Sequence, residues 1–113
     1  MLPAQVSRVA ELALAGRATD VIALDLRRLS TATDYFVIAS GASDVQVRSI
    51  AERIIEEMEK EGMRPDHVEG LSTGRWVLID YLDIVVHVFH PVPRQFYQLE
   101  LLWGDAPRVE FTG

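Results

Sequence analysis

The sequence predicts an α/β fold: one domain over residues 1–113, built as a mixed five-stranded sheet with helices packed on it. Three observations carry this. The run "DYFVIASG" (34–41) is continuously apolar and ends in glycine, the composition of a strand covered on both faces. Val47, Ile50, Ala51, Ile54, Ile55 and Met58 then keep the i, i+3, i+4, i+7 spacing of an amphipathic helix. Finally, "WVLIDYLDIVVHVFHP" (76–91) reads as two strands folded back on each other. At 113 residues the chain has single-domain size and can bury a core without staples.

Taken in order, Pro3 suits the first turn of a helix that carries Val6, Val9, Ala10 and Ala13 on one face and stops near Gly16. "DVIALDL" (20–26) alternates imperfectly and reads as the first strand; residues 34–41 form the second. The long helix opens at Ser43, with Gln46 three residues on as in a capping box, and Gly62 closes it. "DHVEG" (66–70) reads as a short edge strand. Strands 76–81 and 84–90 follow, joined tightly at Leu82-Asp83, and Pro91 and Pro93 end the second. "RQFYQLELLW" (94–103) reads as a final amphipathic helix, which makes the order α-β-β-α-β-β-β-α.

With the turn at Leu82-Asp83, Tyr81 lies opposite Ile84, Leu78 opposite His87, and Trp76 opposite Phe89. Pleating then places Val77, Ile79, Tyr81, Ile84, Val86 and Val88 on one face. That set is apolar apart from one phenol and is the candidate core. The other face carries Trp76, Leu78, Asp80, Val85, His87 and Phe89. It mixes a tryptophan with an acid and an imidazole, and is the candidate binding face.

Composition narrows the function. The absence of cysteine excludes disulfides and thiolate metal sites, which fits a reducing compartment. Arg8 and Glu11 interrupt the N-terminal segment, so it reads as neither a secretory signal nor a membrane span, and a cytoplasmic protein is expected. The net charge of −6, with Lys60 the sole lysine and the arginines scattered, argues against direct nucleic-acid readout. It favours a basic partner.

The chemical readings are weak one by one. His87 and His90 stand three apart, which sends them to opposite faces of a strand, and His67 is isolated; no metal site is expected. Asp80 and Asp83 flank a turn instead of converging, and aspartate is favoured in turns for its own backbone bonds. "SGASD" (40–44) resembles the glycine-serine turn of nucleotidyltransferases, where helix amides hold a phosphate. That class also needs an Asp-x-Asp or Glu-x-Asp pair on the next strand. Asp66 and Glu69 have the wrong spacing, and capping already accounts for Ser43. There is no G-x-S-x-G elbow, phosphate loop or dinucleotide fingerprint. No catalytic residue and no cofactor is therefore expected, with a nucleotidyltransferase-like enzyme or nucleotide binder as the alternative. Trp76, Tyr81, Tyr97 and Trp103 carry two readings, core and interface anchor.

"LDLRRLSTATDYFVIASGAS" and "GRWVLIDYLDIVVHVFHPVPRQFYQLELLW" closely resemble the Iojap family, the ribosomal silencing factors, over roughly residues 17 to 107. The Trp76-Val77 entry, the "IDYLDIVVHVF" hairpin and the "FYQLELLW" helix carry the resemblance most specifically. It implies a nucleotidyltransferase-like fold without the catalytic carboxylates. It also implies a translation repressor that binds the fourteenth protein of the large ribosomal subunit and blocks joining of the small subunit. Trp76, Tyr81, Asp83, Val85, His87 and Phe89 fall in the family's signature hairpin and are assigned to the docking face and its support; Leu78 and Asp80 join them by pleating. Asp34 and Tyr97 match family blocks as structural residues. Leu82 stands where the family commonly has glycine, so a different turn type is expected there, because leucine resists φ > 0. Leu101 stands where a basic residue is common, which widens the last helix's apolar face into a surface for a homodimer off the ribosome.

Overall fold

The computed structural model describes residues 2–29, 31–90 and 106–112. Two helices, α1 (Ala4–Ala15) and α2 (Asp44–Lys60), accompany six strands: β1 (Thr19–Asp25), β2 (Tyr35–Ser40), β3 (His67–Glu69), β4 (Trp76–Asp80), β5 (Ile84–Phe89) and β6 (Arg108–Phe111). The strands form one sheet in the order β3-β4-β5-β2-β1-β6. β2 and β5 are parallel and the other neighbours antiparallel, so the sheet is mixed as expected. The expected final helix, with Tyr97, Leu101 and Trp103, lies outside the described residues.

Both helices cover the same face of the sheet. Val6, Val9, Ala10 and Ala13 of α1 and Val47, Ile50, Ala51, Ile54 and Met58 of α2 are buried against alternate residues of the strands, including Val21, Ala23, Val37, Val77, Ile79, Val86 and Val88. The helical stripe and the period-two strand pattern meet here, as their spacings require.

The sheet has a sixth strand where the sequence suggests five. β6 pairs antiparallel with β1, from Val21↔Phe111 to Leu24↔Arg108. Four residues, two of them charged, carry too little period-two signal to stand out beside Pro107.

The helix ends show how sequence becomes geometry. Ser43 caps α2, its Oγ accepting the Gln46 N–H at 3.1 Å. The reciprocal bond of the capping box reaches one residue further out: Gln46 Oε1 accepts the Ala42 N–H at 2.6 Å. Gln46 Nε2 donates to the carbonyls of Gly16 (3.3 Å) and Arg17 (3.1 Å), which ties the start of α2 to the end of α1. At the far end, Gly62 (φ 88°) is left-handed, and Met63 N–H bonds Met58 C=O at 2.8 Å, a Schellman closure.

α1 closes the same way, Ala18 N–H bonding Ala13 C=O at 3.0 Å, but its left-handed residue is Arg17 (φ 66°). Gly16 has φ −84° and serves packing instead: a Cβ there would stand 3.1 Å from Ile50 Cγ1. Glycine lets the two helices approach. Holding an L-residue left-handed costs ~1–2 kcal/mol, and glycine gives back ~0.5–1 kcal/mol through unfolded-state entropy. Arg17→Gly is therefore expected to raise the melting temperature by a few degrees, whereas Gly16→Val lowers it by crowding Ile50; thermal melts of the two variants check both signs.

Candidate functional site

The hairpin has the register its turn implied. Trp76 lies opposite Phe89, Leu78 opposite His87 and Asp80 opposite Val85, and the Tyr81 N–H donates to Ile84 C=O at 2.8 Å. The expectation about the turn itself is corrected: leucine does not steer the chain away from positive φ. Leu82 sits at φ 73° with Asp83 N–H bonded to Tyr81 C=O at 3.0 Å, a γ-turn of the strained, positive-φ kind. The Asp80 carboxylate holds it there by accepting the Leu82 N–H at 2.7 Å, leaving the leucine side chain in solvent. Asp83, also exposed, anchors the turn sideways, its carbonyl accepting the N–H groups of both Asp34 and Tyr35 at 3.0 Å.

The two faces of the hairpin separate as pleating requires. Val77, Ile79, Tyr81, Ile84, Val86 and Val88 are all buried in the core beneath the helices. Tyr81 thus lies beneath the helices in the core and not on the opposite face of the hairpin. Its hydroxyl finds no partner among the described residues, and burial pushes its pKa up to about 12.

On the opposite face Trp76, Leu78, Asp80 and Val85 are half-buried, while His87 and Phe89 are buried. The Trp76 ring stacks on Phe89 (centroids 4.8 Å apart, 30° between planes), and its Nε1–H donates to His87 Nδ1 at 3.1 Å. Phe36 of β2 meets the imidazole edge-on at 4.6 Å. Phe36 is the member of this group that sequence reasoning missed. It arrives through the parallel pairing Phe36↔Val85 and Ile38↔His87, which hydrophobic periodicity does not encode. Beside the aromatic group, Ile22, Leu24, Leu26, Ile38, Phe89 and Ala106 form a second buried apolar cluster, so this face is partly core.

His87 accepts at Nδ1, so Nε2 carries the hydrogen, and that atom is buried without a partner among the described residues. Burial lowers its pKa to about 4. His90 follows the end of β5, and His67 on β3 pairs with Glu69 Oε1 at 2.7 Å, so the three imidazoles stand apart. Among the described residues no three His, Asp or Glu side chains come together as metal ligands.

The glycine-serine turn is internally bonded. Gly41 N–H donates to Phe89 C=O at 2.9 Å, Ala42 N–H to Gln46 Oε1, and Gln46 N–H to Ser43 Oγ. A Cβ at Gly41 would fall 2.9 Å from Val47 Cγ2, so close packing explains the glycine. The Gly41, Ala42 and Gln46 N–H groups are thus committed to acceptors in the protein, and Asp66 and Glu69 serve the β3–β4 edge, where Asp66 N–H bonds Asp80 C=O.

The family model described as "ribosomal silencing factor during starvation" (RsfS) matches residues 1–113. The chain belongs to the RsfS family. The ribosomal silencing factor of Bacillus subtilis is 48% identical over 94 residues, covering 83% of this chain and 80% of that protein. The chloroplastic protein Iojap of Zea mays is 34% identical over 94 residues, which is 83% of this chain and 41% of the longer plant protein. A crystal structure of a protein from Chromobacterium violaceum superposes with a TM-score of 0.86 at 32% identity, covering 100% of this chain and 95% of that one. A second, from Bacillus halodurans, gives 0.83 at 36% identity, covering 96% and 100%. Translation regulation and association with the ribosome follow from RsfS membership.

The buried imidazole makes stability depend on pH in a known direction. His87 is neutral when folded and takes a proton near its ordinary value of 6.5 when unfolded. Its contribution is complete above about pH 6.5, is lost as pH falls, and is gone near pH 4, an acid penalty of up to about 3 kcal/mol. Urea titrations at pH 7 and pH 4.5 are expected to show a larger loss for the native protein than for His87→Leu.

Proposed function

We propose that this protein represses translation by docking on the fourteenth protein of the large ribosomal subunit and so holding the small subunit off. The observation that carries the reading is the family match along the whole chain. Two features of the molecule support it. Trp76, Leu78 and Val85 offer a half-buried, largely apolar surface on a rigid sheet, with Asp80 and the exposed Asp83 at its tip. Aromatic and aliphatic anchors held by a stiff scaffold are what interface centres use, because little entropy is lost on docking. The net charge of −6 suits a basic ribosomal partner and speeds encounter with it.

In this reading Tyr81, His87 and Phe89 lie beneath the contact and fix its shape. Blocking subunit joining needs bulk at the right place and no reacting group, so the protein acts as a regulator and not an enzyme. Its place of action is the cytoplasm, with the ribosome.

The protein is expected to co-sediment with free large subunits and not with joined ribosomes, and more weakly as salt rises. Leu78→Arg and Val85→Arg are expected to keep the fold and lose tenfold or more in subunit binding. Trp76→Ala loses both, because its ring also carries Phe89 and His87. Equal recovery from joined ribosomes in a sucrose gradient overturns the reading. So does nucleotide binding: a true nucleotide ligand at a hundredfold over its Kd adds ~2.7 kcal/mol of stability, and no shift with nucleoside triphosphates is expected.

A further inference from the structure

The β4–β5 turn keeps an apolar side chain in water at a conformational cost. Leu82 sits at φ 73°, where an L-residue with a bulky side chain is strained, and it is 59% exposed. A lone surface leucine is ordinary, and so is a positive-φ turn residue that is glycine or asparagine. A leucine that is both strained and exposed has little packing inside the molecule to offset its backbone energy. The turn is nevertheless held firmly. Asp80 Oδ1 accepts the Leu82 N–H at 2.7 Å, and the Asp83 carbonyl is fixed to the N–H groups of Asp34 and Tyr35. The side chain is thus presented from a rigid base, at the end of the hairpin beyond the pair Asp80↔Val85. Strain kept without a packing reward points to a role outside the fold. The surroundings are acidic: backbone bonds tie the exposed Asp34 to Asp83 at 3.0 Å and the exposed Asp66 to Asp80 at 2.7 Å.

We propose that Leu82 is an anchor of the docking contact, entering an apolar recess on the basic ribosomal protein while that protein's Lys and Arg side chains meet the aspartates around it. The inference rests on the docking reading above. It extends the contact from the face formed by Trp76, Leu78 and Val85 onto the tip of the hairpin. Charge selects the class of partner: carboxylates around the leucine repel the phosphate backbone of ribosomal RNA and attract a basic protein surface. Burying the exposed part of one leucine is worth about tenfold in affinity. Because the turn is fixed before contact, little conformational entropy is lost on docking. The strain also gives the role a signature. A substitution that relaxes the turn removes the anchor, so stability and affinity move in opposite directions. A residue that only supports the fold moves both together.

The test measures thermal melts and affinity for purified large ribosomal subunits on the same variants of the full chain. Leu82→Gly is expected to melt a few degrees above the native protein, since glycine adopts φ 73° without strain, and to bind about tenfold more weakly. Leu82→Asn accepts the positive φ but is polar, and is expected to lose affinity to the same extent; Leu82→Met, apolar and of similar volume, recovers most of it. The loss in Leu82→Gly persists at high salt, because the contact removed is apolar. The native chain has no cysteine, so Leu82→Cys supplies a single thiol for a benzophenone label, which is expected to cross-link to the fourteenth protein of the large subunit. If Leu82→Gly and Leu82→Asn bind as tightly as the native protein while Leu78→Arg does not, the inference is overturned and the docking reading stands. If Leu78→Arg also binds natively, both fall. A joint drop in melt and affinity for Leu82→Gly returns Leu82 to a structural role and overturns the inference, as does a cross-link to ribosomal RNA or to a different protein.

Discussion

Parallel pairing of β2 with β5 holds the centre of the sheet, and nearly everything else hangs from it. Six consecutive pairs run from Tyr35↔Ile84 to Ser40↔Phe89. The pairing is closed at one end by the Asp83 carbonyl on Asp34 and Tyr35, and at the other by Gly41 N–H on Phe89. Parallel neighbours need a long crossover, and here the crossover contains α2, β3 and β4. One pairing therefore places a helix over the core, sets the hairpin beside β2, and brings Phe36 against His87 on the opposite face. The remaining strands extend the sheet outward, β4 and β3 on one side, β1 and β6 on the other.

The aromatic group on that opposite face shows a compromise between packing and polarity. Burying an imidazole is unfavourable unless its polar atoms are served, and Trp76 serves only Nδ1. What the arrangement secures is orientation. The indole is held by a directional bond on one side and a stacked ring on the other, so its rotamer and exposed edge are fixed before any partner arrives.

Much of this was legible in the sequence, and the reasons are local. The α2 stripe and the Ser43 cap follow from spacing within one segment. The hairpin register follows from a tight turn, and its two faces from strict alternation between residues 76 and 89. The misses are long-range or too short to have a period. Phe36 looked like any strand aromatic until the parallel pairing placed it, and the second apolar cluster gathers residues from β1, β2 and β5. β6 is only four residues long. Gly16 announced a helix end correctly, yet the left-handed conformation passed to Arg17, because the glycine was needed for the approach of Ile50.

Gln46 links elements that the sheet alone would leave separate. A single amide side chain accepts from Ala42 and donates to Gly16 and Arg17, so the first turn of α2 and the last turn of α1 share their end groups. Neither turn can fray without orphaning polar groups of the other. The two helices are thereby joined into one cooperative folding unit, whose amide protons at the junction open and exchange with solvent together.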